Sequence, residues 1–334
     1  MEERLGISVR QQIVFTKTEL RSRKKTTAKV GPYLKQLQSV LGPYDQDEIL
    51  RHIISEIRLA LISGGSEILG QVRTKARSRY IMDINRVKEW IQNRLVPNTV
   101  IVTLDQEELL RLLAFSLAMP YKMFAGETRA TITELVRRTK GRDFQQIFSD
   151  HFIGRIGEVA FKQFAYEKFR RDIVLDWRIG KELQAFQSDI VSSKRKVSIR
   201  STDTLESIWA DAPPTADYGV SVKVSVAKDF FMKILAHISS LRKLLEYIRQ
   251  RVDVKEDSAL SELLDYIEKE AFRSGFSAKA FICGFFRTSD FNVVKKGEEL
   301  AFLGEVEQDK YFVPYSRLSY QFDDWNKFFL ECGV

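Results

Sequence analysis

The segment of residues 154–226 constrains the fold of this chain most strongly, because the spacing of its apolar residues changes from helical to strand-like. Residues 154–169 predict a helix that buries one side through Ile156, Val159 and Phe164. Four short apolar runs follow and predict strands, at residues 172–177, 186–191, 196–202 and 216–226. A helix followed by several strands predicts a core of the α/β (α+β) class.

The last of these runs has the clearest pattern. Val220, Val222 and Val224 alternate with polar residues that include Ser221 and Lys223. Successive side chains of a strand point to opposite faces of the sheet. The alternation therefore predicts a half-buried strand, with its valines in the core and its polar residues toward solvent.

The remainder of the chain is expected to add helices on both sides of this segment. Helices are predicted at residues 32–41, 45–62, 83–95, 106–118, 131–140, 229–250 and 258–272, with a short strand-like run at 99–104. Asp105 is expected to cap the helix of residues 106–118, and Pro120 to end it. We therefore expect a mostly helical, basic region at residues 1–145 and a core domain at 146–334.

The charge balance of the chain favours an anionic partner. Lys and Arg number 53 against 45 Asp and Glu, which gives a formal net charge of +8 and a pI near 9.3. A basic balance of this kind is typical of proteins that bind nucleic acid. Two basic clusters, residues 14–29 and 71–80, either contact a phosphate backbone or are solvated segments without a partner.

Cysteine usage and the lack of long apolar runs favour a cytoplasmic location. Cys283 and Cys332 are far apart and form neither a zinc motif nor a disulfide framework, so a reducing compartment is expected. The N-terminus lacks the basic and then apolar pattern of a signal peptide. No stretch is apolar over the length of a bilayer, so we expect no membrane partner.

Two acidic residues of the segment 154–226 are candidates for metal binding. Glu158 lies on the predicted helix, one turn before Lys162, and the alternative is an exposed ion pair between these two side chains. Asp189 lies in an apolar strand, where a carboxylate is disfavoured unless a cation holds its charge. The alternative for Asp189 is a turn residue at the end of a hairpin.

The order of these residues resembles that of the PD-(D/E)xK nuclease fold, particularly of type II restriction endonucleases. Proteins of that family have a helix with Glu after Gly, a strand that ends in a metal-binding Asp, and a strand that carries Glu-x-Lys. Gly157 and Glu158 resemble the first motif, Asp189 with its neighbours resembles the second, and residues 196–202 align with the third. Residues 208–209, 216–223, 280–291 and 311–318 resemble later parts of the same enzymes.

The resemblance implies a helical N-terminal region followed by a restriction-endonuclease-like core, with a mixed central β-sheet flanked by helices. It also implies Mg²⁺-dependent, sequence-specific hydrolysis of double-stranded DNA, with Glu158 and Asp189 as the metal ligands. Enzymes of this kind often act as homodimers on two-fold symmetric sites, because two strands must be cut. No small-molecule cofactor is expected.

The third motif departs from the family pattern, since Ser198 and Arg200 stand where the family has Glu and Lys. Serine is a poor ligand for a hard cation, and arginine stays protonated, which makes it a poor general base. In one interpretation Ser198 occupies the vacant ligand position, and Arg200 or Lys162 takes the role of the lysine. In a second interpretation the basic residue is displaced to Lys223.

Two further functions remain open at this stage. If the substitutions at positions 198 and 200 have inactivated the centre, the chain is a catalytically silent DNA-binding protein, or a partner subunit, that keeps the nuclease fold. A chain without DNA affinity would instead be a structural helical protein with no nucleic-acid partner. We expect the enzyme, because both carboxylate motifs are present.

Overall fold

The computed structural model describes most of the chain. The described residues are 12–63, 66–73, 78–124, 144–177, 188–202, 216–226, 276–300, 304–305, 309–313 and 317–334, with 246 and 250. The predicted helices at 131–140 and 258–272, all but two residues of the predicted helix at 229–250, and residues 208–209 lie outside this set.

Within the described residues there are seven α-helices and eleven strands. The helices are α1 Lys17–Arg21, α2 Arg23–Val30, α3 Gln46–Ser63, α4 Ile84–Trp90, α5 Gln106–Phe124, α6 Phe144–Phe169 and α7 Phe322–Cys332. The strands are β1 Gln12–Thr16, β2 Leu69–Arg73, β3 Ser78–Asp83, β4 Thr99–Thr103, β5 Val197–Thr202, β6 Tyr218–Ser225, β7 Ser277–Arg287, β8 Asn292–Val294, β9 Glu299–Leu300, β10 Gly304–Glu305 and β11 Lys310–Phe312. A 3₁₀ helix, Gly31–Val40, lies between α2 and α3, and a π-helical turn, Ile91–Leu95, continues α4.

The centre of the fold is a mixed four-stranded sheet with the order β4-β7-β6-β5. β5 and β6 are parallel, whereas β7 is antiparallel to both β6 and β4. The predicted class, α+β with a mixed central sheet, is confirmed. In place of the predicted strands at residues 172–177 and 186–191, the described residues 172–177 and 188–191 form a single antiparallel bridge, between Leu175 and Ile190, and residues 186–187 lie outside the described set.

One face of the central sheet packs against α6. Val197, Ile199 and Val222 join the core formed with the apolar side of this helix. Gly157 allows the close approach of α6, because a Cβ atom at this position would collide with the side chain of Ser201 on β5. The end of α6 also packs against α7 through an aromatic cluster that includes Phe161.

The opposite face of the sheet is covered by the N-terminal part of the chain. A second core places α3 and the antiparallel sheet β1-β3-β2 together with Phe281 and Cys283 of β7. β6 is therefore buried on both faces, and the prediction of a half-buried strand is wrong. Ser221 is 4% exposed and Lys223 is 2% exposed.

The N-terminal region contains strands in addition to the predicted helices. β1, β2 and β3 form a three-stranded sheet there, and β4 from residues 99–103 pairs with β7 in the central sheet. Of the basic cluster of residues 71–80, Arg73 lies on β2 and Arg79 on β3, and residues 74–77 lie outside the described set. Apolar residues of β1 and β3, such as Phe15 and Met82, lie in the same core as α3. Burial of these side chains on one face stabilises the strands.

Helix α5 is longer than predicted. Asp105 caps it as expected, since its Oδ1 accepts the backbone N–H of Glu108 at 2.8 Å. The helix continues through Pro120 to Phe124, so the expected end at Pro120 is wrong. A proline removes one backbone hydrogen bond, and burial of Leu109 and Leu112 in the core offsets part of that loss. Among the described helices, none has the length and apolar character needed to cross a bilayer.

Candidate active site

Three carboxylates lie close together where α6 meets the free edge of β5. Glu158 on α6 is 7% exposed, and Asp176, just after the bridge at Leu175, is 5% exposed. Asp189 lies on the segment that runs beside β5 and is partly buried. The charges of Asp189 and Asp176 raise the pKa of Glu158, and the charge of Asp176 also raises the pKa of Asp189, so the three residues are within electrostatic reach.

Backbone hydrogen bonds hold two of these carboxylates in register. The N–H of Asp176 donates to the carbonyl of Asp189 at 3.0 Å, and the N–H of Asp189 donates to the carbonyl of Val197 at 2.7 Å. The carboxylate of Asp189 also accepts the backbone N–H of Ile199 at 2.6 Å. Three separate segments therefore converge on the same edge of the sheet.

The sequence indicated Glu158 and Asp189, and the structure brings these two residues together. It adds Asp176, which the sequence analysis did not select. The available signal was the one that singled out Asp189, an acid within a short apolar run whose Ile173 and Leu175 are buried. That signal does not show which acids lie close together in the fold, because this depends on how the segment of Asp176 pairs with the segment of Asp189.

Arg155 is the second residue that the sequence analysis missed. Its guanidinium forms an ion pair with Glu158, three residues later on α6, and its Nη1 donates to the backbone carbonyl of Asp176 at 2.7 Å. The same group lies 3.6 Å from the ring centre of Phe115 and 5.2 Å from that of Trp177. Arg155 is thus held between aromatic rings and the acidic cluster.

This arrangement excludes the alternative interpretation of Glu158. An exposed ion pair with Lys162 was the alternative, but Glu158 is buried and its partner is Arg155. Lys162 is exposed. On a helix, residues three and four positions apart lie on the same face. Arg155 and Lys162 were therefore both possible partners of Glu158, and their spacing alone did not decide between them.

The electrostatics of the site disfavour the accumulation of negative charge. Burial raises the pKa of Glu158 to about 8, with a further rise from Asp189, and Arg155 opposes the shift. Burial also raises the pKa of Asp189, whereas the N–H of Ile199 and the charge of Arg200 lower it. A cation bound beside these carboxylates would favour their ionised form and so oppose the effect of burial.

Ser198 and Arg200 lie on β5 on either side of Ile199. Val197 and Ile199 are buried toward α6, whereas Ser198 is half-buried and Arg200 is exposed on the other side of the strand. The positive charge of Arg200 lowers the pKa of Asp189, so it acts on the acidic cluster electrostatically. The hydrogen bond between Asp189 and Ile199 places the carboxylate between the two positions of the third motif.

Lys223 lies on the opposite side of the sheet from α6. Its Nζ donates to the Oγ of Ser55 on α3 at 2.6 Å, in the covered face of β6. The adjacent Val222 is the residue of β6 that lies beneath Gly157 of α6. The structure therefore places Lys223 away from the acidic cluster and does not support its assignment as the displaced basic residue.

The acidic cluster has ligands of the kind that Mg²⁺ prefers. Mg²⁺ is typically bound through one or two carboxylates, with waters and substrate phosphates completing its octahedral shell. Glu158 and Asp189 supply two carboxylates whose raised pKa values would fall when a cation binds. Within the described residues, no group of three or more His, Cys, Asp or Glu side chains is already arranged as a metal site. A site with two protein carboxylates agrees both with the ligand preference of Mg²⁺ and with the lack of a group of three such side chains in the described part of the chain.

Comparison of the chain with protein family models, with curated proteins and with solved structures finds no match.

Proposed function

We propose that the protein is a site-specific endonuclease, similar to type II restriction endonucleases, that hydrolyses phosphodiester bonds of double-stranded DNA with Mg²⁺. The observation that carries this proposal is the convergence of Glu158 and Asp189 at the edge of β5, where burial and a neighbouring carboxylate raise the pKa of each. Buried acids with strongly shifted pKa values are typical of functional sites.

Each residue of the site has a distinct role in this proposal. Glu158 and Asp189 hold the cation, which would neutralise charge on the scissile phosphate and activate a water molecule. The N–H of Ile199 orients Asp189, and Arg155 holds Glu158 in place. Arg200 projects from β5 and contacts the phosphate through its permanent positive charge.

The proposal is tested by incubating the full chain with a long duplex DNA in Mg²⁺ and in EDTA, followed by gel electrophoresis. We expect discrete fragments that disappear with EDTA and with Asp189→Asn, a substitution that keeps an acceptor for Ile199 and removes the charge. Binding of the same DNA in Ca²⁺ should persist in Asp189→Asn. Intact DNA in both Mg²⁺ and Mn²⁺ would refute the proposal.

A second candidate function is a DNA-binding protein with an inactive centre, or a partner subunit. Two observations favour it: Arg155 already pairs with Glu158, and Ser198 offers no carboxylate. An internal cation can replace the metal in stabilising a buried acid. This protein would retard DNA at low salt without cutting it, and Mg²⁺ or Ca²⁺ would not raise its melting temperature.

The remaining assignments follow from the proposed reaction. Cleavage of both strands requires two active sites, so we propose a homodimer. A cytoplasmic location agrees with the two free, buried cysteines, Cys283 and Cys332. The reaction needs no small-molecule cofactor beyond the metal.

A further inference from the structure

Two basic clusters that are far apart in the sequence meet in the small N-terminal sheet. β1 pairs antiparallel with β3, and the register places Thr16 opposite Arg79. Thr16 caps α1 and directly precedes Lys17, the first residue of that helix. The basic stretch of α1 and α2 is therefore adjacent to Arg79, from the second cluster.

The cations of this region are exposed and exceed the acids near them. Lys17, Arg21, Lys24, Lys25 and Arg79 all have exposed side chains. The only acid of α1 and α2, Glu19, is already engaged: one carboxylate oxygen contacts Lys29 at 2.8 Å, and the other accepts the N–H of Thr16 at 2.8 Å. These bonds lower the pKa of Glu19 to about 2, so its charge is already compensated.

The basic stretch is folded, not an extended arm. Leu20, Thr26 and Val30 are buried against the N-terminal core. The apolar side chains of α1 and α2 therefore point inward, and these helices present no large apolar side chain that could enter a membrane. The first turn of α2 contains no acid, although acids are favoured there by the helix dipole. Helix stability therefore does not explain the exposed Lys24 and Lys25 in the first turn of α2.

We propose that these five side chains, Lys17, Arg21, Lys24, Lys25 and Arg79, form an N-terminal basic surface that binds the phosphate backbone of duplex DNA. The surface deepens the proposed function, on which it rests for the identity of its partner. Each Lys or Arg contact with a phosphate releases counterions and adds affinity without reading sequence. The surface thus holds DNA independently of the acidic cluster.

The test compares wild type with the variant Lys17→Gln/Arg21→Gln/Lys24→Gln/Lys25→Gln. Affinity for a fluorescent duplex of arbitrary sequence is measured by anisotropy, in EDTA, at salt concentrations from low to physiological. We expect the variant to bind at least about tenfold more weakly, and its slope of log affinity against log salt to fall by roughly 3 to 4, at about 0.9 for each lost contact. Arg79→Gln alone should lower the slope by about 1.

The matched control removes four exposed cations elsewhere: Lys168→Gln/Lys296→Gln/Arg317→Gln/Lys327→Gln. We expect this variant, which has the same net charge as the first, to keep a salt slope within about 1 of wild type. Circular dichroism and melting establish that each variant is folded, and Arg79→Gln alone supplies the result if the quadruple variant is not.

Three results would overturn the proposal. The first is no duplex binding by wild type in EDTA, and the second is an equal loss of affinity in the two quadruple variants. The third comes from a parallel binding assay with vesicles containing phosphatidylserine: a first quadruple variant that loses affinity for the vesicles but not for the duplex would assign the surface to a membrane. The binding measurement contains no Mg²⁺ and is independent of cleavage. A failure to cleave DNA would therefore refute the proposed reaction, whereas the binding results alone decide whether this surface binds DNA.

Discussion

The carboxylate of Asp189 accepts the backbone N–H of Ile199 at 2.6 Å and is thereby fixed to the strand that carries Ser198 and Arg200. One hydrogen bond therefore links the acidic motif to the variant motif. A carboxylate that accepts a backbone N–H is held in one orientation and keeps a second oxygen for another partner. The geometry explains how Asp189 can serve both the fold and a cation.

The bond between Asp189 and Ile199 predicts different costs for two substitutions. Asp189→Asn keeps an oxygen for the N–H, and we expect it to change the free energy of unfolding by less than about 1 kcal/mol. Asp189→Ala leaves the N–H without its acceptor, and we expect a loss of about 1–3 kcal/mol. Urea denaturation of both variants measures the difference, and equal stabilities would show that the bond is not important to folding.

The raised pKa of Glu158 predicts that stability falls as pH increases. The folded protein holds a proton on Glu158 up to about pH 8, whereas the unfolded chain releases it near pH 4.5. The folded state thus binds more protons between these values, and stability is lost across this window as pH rises. The expected loss is a few kcal/mol, since each pKa unit corresponds to about 1.4 kcal/mol.

Glu158→Gln supplies the matched control, because it removes the titration and keeps the shape. Urea unfolding at pH 5.5, 7.0 and 8.5 should show the loss in wild type and a smaller slope in the variant. Parallel curves for the two proteins would contradict the assignment of this pH dependence to Glu158.

Cation binding should itself depend on pH. A divalent cation must displace the proton of Glu158, so Ca²⁺ should raise the melting temperature more at pH 8.5 than at pH 6. Asp189→Asn should abolish the effect at both values. A shift that is independent of pH, or that survives Asp189→Asn, would place the cation elsewhere.

Arg155 is expected to be important for folding. Arg155→Met removes the partner of Glu158 while keeping an apolar chain beside Phe115, and we expect a loss of about 3–5 kcal/mol at about pH 9.5, where Glu158 is ionised, as when one partner of a buried ion pair is removed. At pH 5.5 Glu158 can take up a proton, so the loss should be smaller. Denaturation at the two pH values measures this, and an equal loss at both would argue against the ion pair.

The local elements of the site were predictable from the sequence, whereas their meeting was not. The alternation of residue types around Val197 and Val220 marked β5 and β6 as strands, although β6 is buried on both faces. Arg155 was not selected, since its partners Glu158 and Asp176 come together only through the fold. The burial of Lys223 was unexpected because α3, far away in sequence, covers the second face of β6.

Restoring the family pattern on β5 separates an active centre from a silent one. In Ser198→Glu/Arg200→Lys, a carboxylate is added on β5 one residue before the N–H that holds Asp189, and a lysine replaces a cation that cannot act as a base. We expect the variant to bind Mg²⁺ about tenfold more tightly, measured by the rise in melting temperature, because ligand charge increases affinity.

Cleavage assays then distinguish the two functions. If wild type cuts DNA, the double variant should cut at a comparable or higher rate and need less Mg²⁺. If wild type is silent, cleavage gained by the variant would show that positions 198 and 200 alone inactivated the centre. Ser39→Glu, on the exposed side of the 3₁₀ helix Gly31–Val40, is the control for added charge and should change neither property. Unchanged Mg²⁺ affinity in the double variant would place Ser198 outside the metal site.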